Sequence, residues 1–261
     1  MVVIGDRLIM KCKFVADDFE ISSEINQAIL VLVENGVITK TGIMQGEYLA
    51  YNETILLQNI QTGLHINLTI DQWKNKKTSP VRLLYLCYIF KKININQLSE
   101  LIHHQAEFIE SKGFKIDYFD THQHVHILPM VLKALILVAK KKGIKSIRCI
   151  TMKKEHFSFY IYSLLRFGFI KQIPELCILY FTGYFMKRYL DKNQINYCDN
   201  LVLMPLAING NYSALINCIY SRFKEINAEI ITHPGLIQKN GFDEYVEGRK
   251  TEYETLLSFK I

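Results

Sequence analysis

The sequence predicts an α/β fold built from parallel βαβ units, closed into a barrel or wound as an open sheet. Two observations carry this. Short apolar segments alternate with segments of helical period along almost the whole chain, the pattern of crossover-linked parallel strands. Polar residues capable of chemistry stand just after four of the predicted strands, where such folds place their sites. The 261 residues and 49% hydrophobic content suffice for one domain of barrel size, and one domain spanning residues 1–261 is expected.

Lys11-Cys-Lys-Phe-Val-Ala16 reads as the first strand, ending at Asp17-Asp18. Ser22 or Ser23 caps a helix whose apolar residues Ile25, Ala28, Ile29, Leu32 and Val33 keep helical spacing, and Gly36 ends it. Val37-Ile38-Thr39 begins the next strand, residues 47–59 read as a helix, and residues 62–69 as a strand. A lysine-rich loop near 71–79 precedes a helix over 97–111 that Gly113 stops. Phe114-Lys115-Ile116-Asp117-Tyr118-Phe119 reads as a strand, 130–142 as a helix closed by Gly143, and 144–150 as a strand. Strands are expected at 200–205 and 229–232, with a helix over 213–226 between them. There is no internal repeat.

The most hydrophobic region runs over 157–186. Its charge-free runs are broken by Arg166 and Lys187, short of the roughly 20 residues a membrane span needs. It reads as two buried or capping helices, with a greasy, basic-edged surface that meets a lipid-linked substrate as the sharper alternative. The net charge of +6 comes from scattered lysines and does not call for nucleic acid. Six cysteines without a Cys-x-x-Cys pair argue against a zinc knuckle or a disulfide framework. With no basic start followed by an apolar run at the N-terminus, a cytoplasmic location is expected.

Four motifs carry chemistry. Asp120-Thr121-His122-Gln123-His124-Val125-His126 holds three of the eight histidines behind an aspartate. Read as an extended chain, its alternate residues share one side, and imidazole is the commonest side-chain metal ligand. Residues i and i+4 of a strand lie roughly 13 Å apart, against a metal–nitrogen bond of about 2 Å, so one ion cannot take all three histidines. Partners must come from elsewhere. Ala16-Asp17-Asp18-Phe19 offers two carboxylates after a strand; alone it fits a solvated turn, but one acid could bind a metal while the other takes a proton. In Gly63-Leu64-His65-Ile66-Asn67-Leu68-Thr69, the leucines and isoleucine face the packing side and His65, Asn67 and Thr69 share the other. A lone strand histidine reads as structural, whereas such a polar row inside a barrel is costly unless it lines a site. His233-Pro234-Gly235 closes the set; alone it is a turn with a surface histidine.

In this order and spacing the four motifs resemble the YdjC-like carbohydrate deacetylase family, which includes chitooligosaccharide deacetylases and the hopanoid-associated HpnK group. The resemblance runs from about Phe14 to the end; Gln105 and Arg148 also stand where the family often has such residues. It implies a distorted (β/α) barrel of the NodB-like deacetylase type holding one divalent metal. The metal ligands would be Asp18, His65 and His122, the base Asp17 and the acid His233, with His124 and His126 shaping the pocket or supporting the ligands. It points to Mg2+, although two imidazoles also suit Zn2+ or another transition metal. The implied reaction is removal of an N-acetyl group from an amino sugar, on an oligosaccharide or a lipid-linked glycan, releasing acetate. A homodimer is compatible with the family, and membrane-surface contact through 157–186 follows from the greasy-surface alternative. Glu20 stands where the family usually has glycine, and Ile70-Asp71-Gln72-Trp73 replaces a usual Gly-x-Pro loop; both leave the metal set untouched and put the substrate in doubt. An amidohydrolase-type hydrolase fits less well, because that class carries its His-x-His pair on the first strand. A sugar- or glycolipid-binding barrel without turnover is the non-enzymatic alternative.

Overall fold

The structure, a computed structural model, describes residues 2–3, 8–9, 11–48, 55–69, 79–206, 208–237 and 245–259. Residues 49–54 of the expected 47–59 helix and 71–78 of the lysine-rich loop lie outside these residues.

Val2–Val3 (β1) pairs antiparallel with Leu8–Ile9 (β2). Six strands build the sheet that organises the chain: Cys12–Phe19 (β3), Ile38–Ile43 (β4), Gln61–Ile66 (β5), Tyr118–Thr121 (β6), Leu201–Leu203 (β7) and Ala228–Thr232 (β8). Their order is β6-β5-β4-β3-β8-β7, and every neighbouring pair is parallel. The strands are buried almost throughout, as expected of a sheet covered on both faces.

The segment over 144–151 lies between the two edges of this sheet. It forms isolated parallel bridges, Phe119 with Ile147 and Ser146 with Asn196, rather than the full strand predicted for 144–150. Arg148 N–H donates to Phe119 O at 2.9 Å on one side, and Leu201 N–H donates to Thr151 O at 2.9 Å on the other. The architecture is the expected α/β distorted barrel: a half-barrel of six parallel strands wrapped by helices, its gap spanned by this irregular segment.

The crossovers follow from local chemistry. Helix Ser23–Glu34 is capped by Ser22, whose Oγ accepts from Ile25 N–H at 3.3 Å, and buries Ile25, Ala28, Ile29 and Leu32 against the sheet. Helix Ile95–Ser111 opens with a reciprocal capping box between Asn94 and Gln97. Helix Pro129–Lys142 ends on Gly143 at φ 73°, a conformation that favours glycine. The greasy 157–186 region forms helices Lys154–Arg166 and Ile173–Lys192. Gly183 seats the second of these directly on Ile150, where an added Cβ would lie 1.7 Å from the Ile150 carbonyl oxygen. Tyr212–Phe223 links β7 to β8, and Val246–Leu257, which the periodicity does not predict, follows β8.

Two local departures position the site. β3 does not end at Asp17-Asp18 but runs to Phe19, with a bulge opposite β4: Ala16 pairs with Thr41 and Phe19 with Ile43, so one extra residue is accommodated. Asp18 takes φ 69° and Glu20 φ 81°. The glycine expected at position 20 thus has a backbone reason, and Glu20 is held in its stead by Asn26, which accepts from Glu20 N–H at 2.7 Å and donates to its Oε1. The extended reading of residues 120–126 is overturned. β6 stops at Thr121, and His122–Ile127 is a tight helical turn in which Gln123 and His124 both take φ 54°.

Candidate active site

Asp17 and Asp18 leave β3, His65 leaves β5, Asp120 and His122 leave β6, and His233 follows β8. Because these strands are parallel, the residues converge at one end of the half-barrel. Strict alternation would send the two aspartates to opposite faces. The bulge instead brings both beside His65.

Asp18 is the hub. Its Oδ1 lies 2.9 Å from His122 Nδ1 and 3.4 Å from His65 Nε2, while its Oδ2 accepts from Arg249 Nη2 at 2.6 Å. Ligand atoms sharing one ion at about 2.1 Å sit roughly 3.0–3.4 Å apart, so this spacing fits a divalent metal. His65 is prepared for the same role. Its Nδ1 lies 2.7 Å from Asp120 Oδ1; a carboxylate can only accept, so Nδ1 carries the proton and Nε2 faces Asp18. A carboxylate behind a ligating imidazole is a common support at metal sites. The His122 side chain is 15% exposed against 2% for His65 and 3% for Asp18, so His122 marks the open side.

A second group, Asp17, His65 and Asp120, also has ligand atoms within 4.8 Å of one another. Its charge is already met. Arg148 grips Asp17 through Nη1 to Oδ2 at 2.5 Å and Nη2 to Oδ1 at 2.8 Å, and Nη2 lies 2.7 Å from Asp120 Oδ2 as an off-axis ion pair. A guanidinium occupies the cationic position there, which leaves Asp18, His65 and His122 as the group that could hold an ion.

The electrostatics follow from burial working against pairing. Burial would raise the Asp17 carboxyl, but Arg148 and His65 hold it well below the usual range. Asp18 is likewise lowered, with Arg249 and His122 outweighing burial. Burial would lower His65, yet Asp120 and Asp17 raise it to about 10. His124 is pushed down to about 3 by burial with Arg148 nearby, and His126 is also strongly lowered by burial, then by His124.

Of the three central histidines, only His122 joins the metal set. His126 Nδ1 lies 2.6 Å from Thr121 Oγ1, which also accepts the His126 N–H at 3.1 Å. The side chain that sequence spacing set beside His122 therefore braces the turn that aims His122. His124, half-buried, packs edge to face against it, with ring centroids 6.1 Å apart. Gln105 is not at the site: its side chain donates to Asn67 O at 2.8 Å and accepts from Asn67 N–H at 2.9 Å, fixing the chain as it leaves β5.

The unpredicted helix Val246–Leu257 completes the site. Arg249 Nη1 donates to His233 O at 3.3 Å, and Glu252 Oε2 accepts His233 N–H at 2.7 Å, while Tyr212 donates to the other Glu252 oxygen. His233 is thus clamped by both its backbone groups. Burial lowers its imidazole against the pull of Asp18 and Asp17, and burial raises Glu252 to about 7 despite its two donors. Arg249 and Glu252 gave no signal in sequence, because the buried positions of this helix are Gly248, Arg249, Glu252, Thr255 and Leu256, which form no apolar stripe.

The chain is similar to known proteins over most of its length. The profile of the family described as YdjC-like protein matches residues 13–261. A chitooligosaccharide deacetylase of Salmonella heidelberg is 27% identical over 139 residues, 49% of this chain and 55% of that one. A carbohydrate deacetylase of Clostridium beijerinckii is 30% identical over 53% of this chain and 58% of its own length, and one of Vibrio campbellii is 23% identical over 95% and 97%. The matched stretch therefore spans a little over half the length of the first two relatives. Among solved structures, an Enterococcus faecalis V583 protein assigned to cellobiose-phosphate cleavage superposes with a TM-score of 0.66 at 19% identity, covering 95% of this chain and 90% of that one, which supports the fold. With the profile match running over all six strands of the half-barrel, the chain belongs to the YdjC-like protein family.

Proposed function

We propose that this chain is a metal-dependent hydrolase that removes the N-acetyl group from an N-acetylated amino sugar, on an oligosaccharide or a lipid-linked glycan, releasing acetate. The observation that carries the reading is the Asp18–His65–His122 cluster at ligand spacing, with the paired carboxylate of Asp17 beside it. Relatives named as chitooligosaccharide and carbohydrate deacetylases supply the choice of bond.

Asp18 Oδ1, His65 Nε2 and His122 Nδ1 would hold the ion, Mg2+ first and Zn2+ or another transition metal as alternatives. When bound, a divalent ion supplies a Lewis acid that polarises an acyl oxygen and eases deprotonation of water. Arg249 keeps Asp18 Oδ2 engaged, so Asp18 offers one oxygen and coordination positions stay open. Asp17, fixed in a double grip by Arg148, takes the proton of the attacking water. His233, clamped by Arg249 and Glu252 through both its backbone groups, delivers a proton to the departing amine.

The test is an acetate-release screen over soluble and lipid-linked N-acetyl sugars with Mg2+, Zn2+ and Co2+, run on the native chain and on Asp17→Asn. The variant is expected to keep its metal and lose about 10²–10⁴-fold in turnover, the usual contribution of a positioned base. Tight binding of an N-acetylated glycan without acetate release under any of these ions would instead favour a binding barrel.

A further inference from the structure

The helix Ile173–Lys192 carries an outward face that neither the fold nor the site uses. Ile178, Phe181, Tyr184 and Phe185 are 62%, 67%, 55% and 56% exposed. At about 100° per residue they fall on one stripe, and Arg188 and Lys192, both exposed, continue it toward the C-terminus. Phe185 packs edge-on against both Phe181 and Tyr184, and the Arg188 guanidinium lies over the Tyr184 ring. The helix cannot roll to hide this face, because Gly183 is pressed against the Ile150 carbonyl on the opposite side.

We infer that this stripe is a docking surface for an anionic lipid bilayer, lying on the membrane rather than crossing it. Aromatic and aliphatic side chains with cations at one end suit the boundary between acyl chains and anionic headgroups. Of the two acids of the helix, Glu175 is rotated about 120° from Phe181, and Asp191, at the edge of the stripe beside Tyr184, accepts from the Tyr197 hydroxyl at 2.5 Å. A second copy seated antiparallel on the stripe would press Arg188 against apolar residues with Glu175 turned away, so charge complementarity favours headgroups. Among the described residues no helix is long and apolar enough to span a membrane. The helix also packs against the His122–Ile127 turn, so the docked face would flank the metal site.

The test is co-sedimentation of the full chain with phosphatidylcholine vesicles, with and without phosphatidylglycerol. Binding is expected to the anionic vesicles and to weaken with salt. Phe181→Ser/Phe185→Ser should cut it about tenfold or more, since each exposed ring removes a buried anchor. Arg188→Glu should cut it about 30-fold, at roughly fivefold per unit charge near an anionic surface. Val81→Ser, at another exposed apolar position, should bind as the native chain does. No sedimentation with anionic vesicles, or equal losses in Val81→Ser, overturns the inference. So does a dimer that Phe181→Ser/Phe185→Ser breaks while no vesicle binding is seen, which would assign the stripe to a second copy. The inference stands apart from the deacetylase reading: His122→Ala should sediment as the native chain does, whatever its acetate release.

Discussion

Replacing Asp120 by Asn tests how the site is prepared for an ion. Asp120 accepts from His65 Nδ1–H at 2.7 Å on Oδ1 and forms an ion pair with Arg148, whose Nη2 lies 2.7 Å from Oδ2. A carboxamide has one acceptor oxygen and an NH2 group. If the oxygen faces Arg148, the NH2 confronts His65 Nδ1 and drives the imidazole proton to Nε2, the atom that would bind the ion. If the oxygen faces His65, the NH2 confronts a guanidinium buried among carboxylates. Either outcome weakens the ligand set without touching a ligand. Loss of such a supporting carboxylate typically costs 10–100-fold in metal affinity, or about 1.4–2.7 kcal/mol. The assay is calorimetric titration with Mg2+ and Zn2+ at one pH, beside thermal melts to show that Asp120→Asn is folded. A folded variant with an unchanged metal Kd would refute the reasoning.

Other consequences follow from the same geometry. His122→Ala should lose the metal, while His126→Ala, which removes a brace on Thr121 rather than a ligand, should keep it; calorimetry distinguishes the two. Metal affinity should rise with pH, because His65, raised to about 10 by Asp120 and Asp17 against burial, must give up a proton as the ion binds. Below that value this group alone should tighten the Kd about tenfold per pH unit, and a Kd flat between pH 6 and 9 would contradict it. Glu252 bears on stability. Its folded pKa of about 7 exceeds the ordinary 4.5, so the folded state binds the proton more tightly and stability falls as pH rises from about 4.5 to 7. The fall is on the order of 3 kcal/mol. Glu252→Gln should remove that slope in denaturant melts, and an unchanged slope would show that Glu252 is not its source.

Much of this site was legible in the sequence, and what was missed has physical causes. Asp17, Asp18, His65, His122 and His233 each stand at or near a strand end, which marks them as candidates, while their separate roles came from the family resemblance and the bulge that gathers Asp17 with Asp18 has no sequence signal. His124 and His126 looked like partners of His122 because an extended backbone was assumed. The left-handed conformations of Gln123 and His124, uncommon for residues with a Cβ, fold that stretch into a turn, with the His124 and His126 rings edge to face. The proposal of His122 as the one ligand among them came from the family resemblance, and the turn adds a separate geometric argument for it. Residues 144–150 have a strand's composition, yet they must reach across two sheet edges and can form only bridges. Arg249 and Glu252 were invisible because a helix that buries a salt bridge and a carboxyl has no apolar stripe to reveal it. The aromatic stretch 157–186 was read as buried or capping helices, and its inner residues Tyr160, Leu164, Leu176, Tyr180 and Met186 are buried as expected. Its outer face keeps the greasy, basic-edged character that was the alternative reading.

The most direct measurement is acetate released from an N-acetylated sugar by the protein stripped of metal with a chelator, then reloaded. No release is expected from the stripped protein, with recovery on adding Mg2+ or Zn2+ and no recovery for His122→Ala under the same reloading. Full acetate release by the stripped protein would contradict metal dependence.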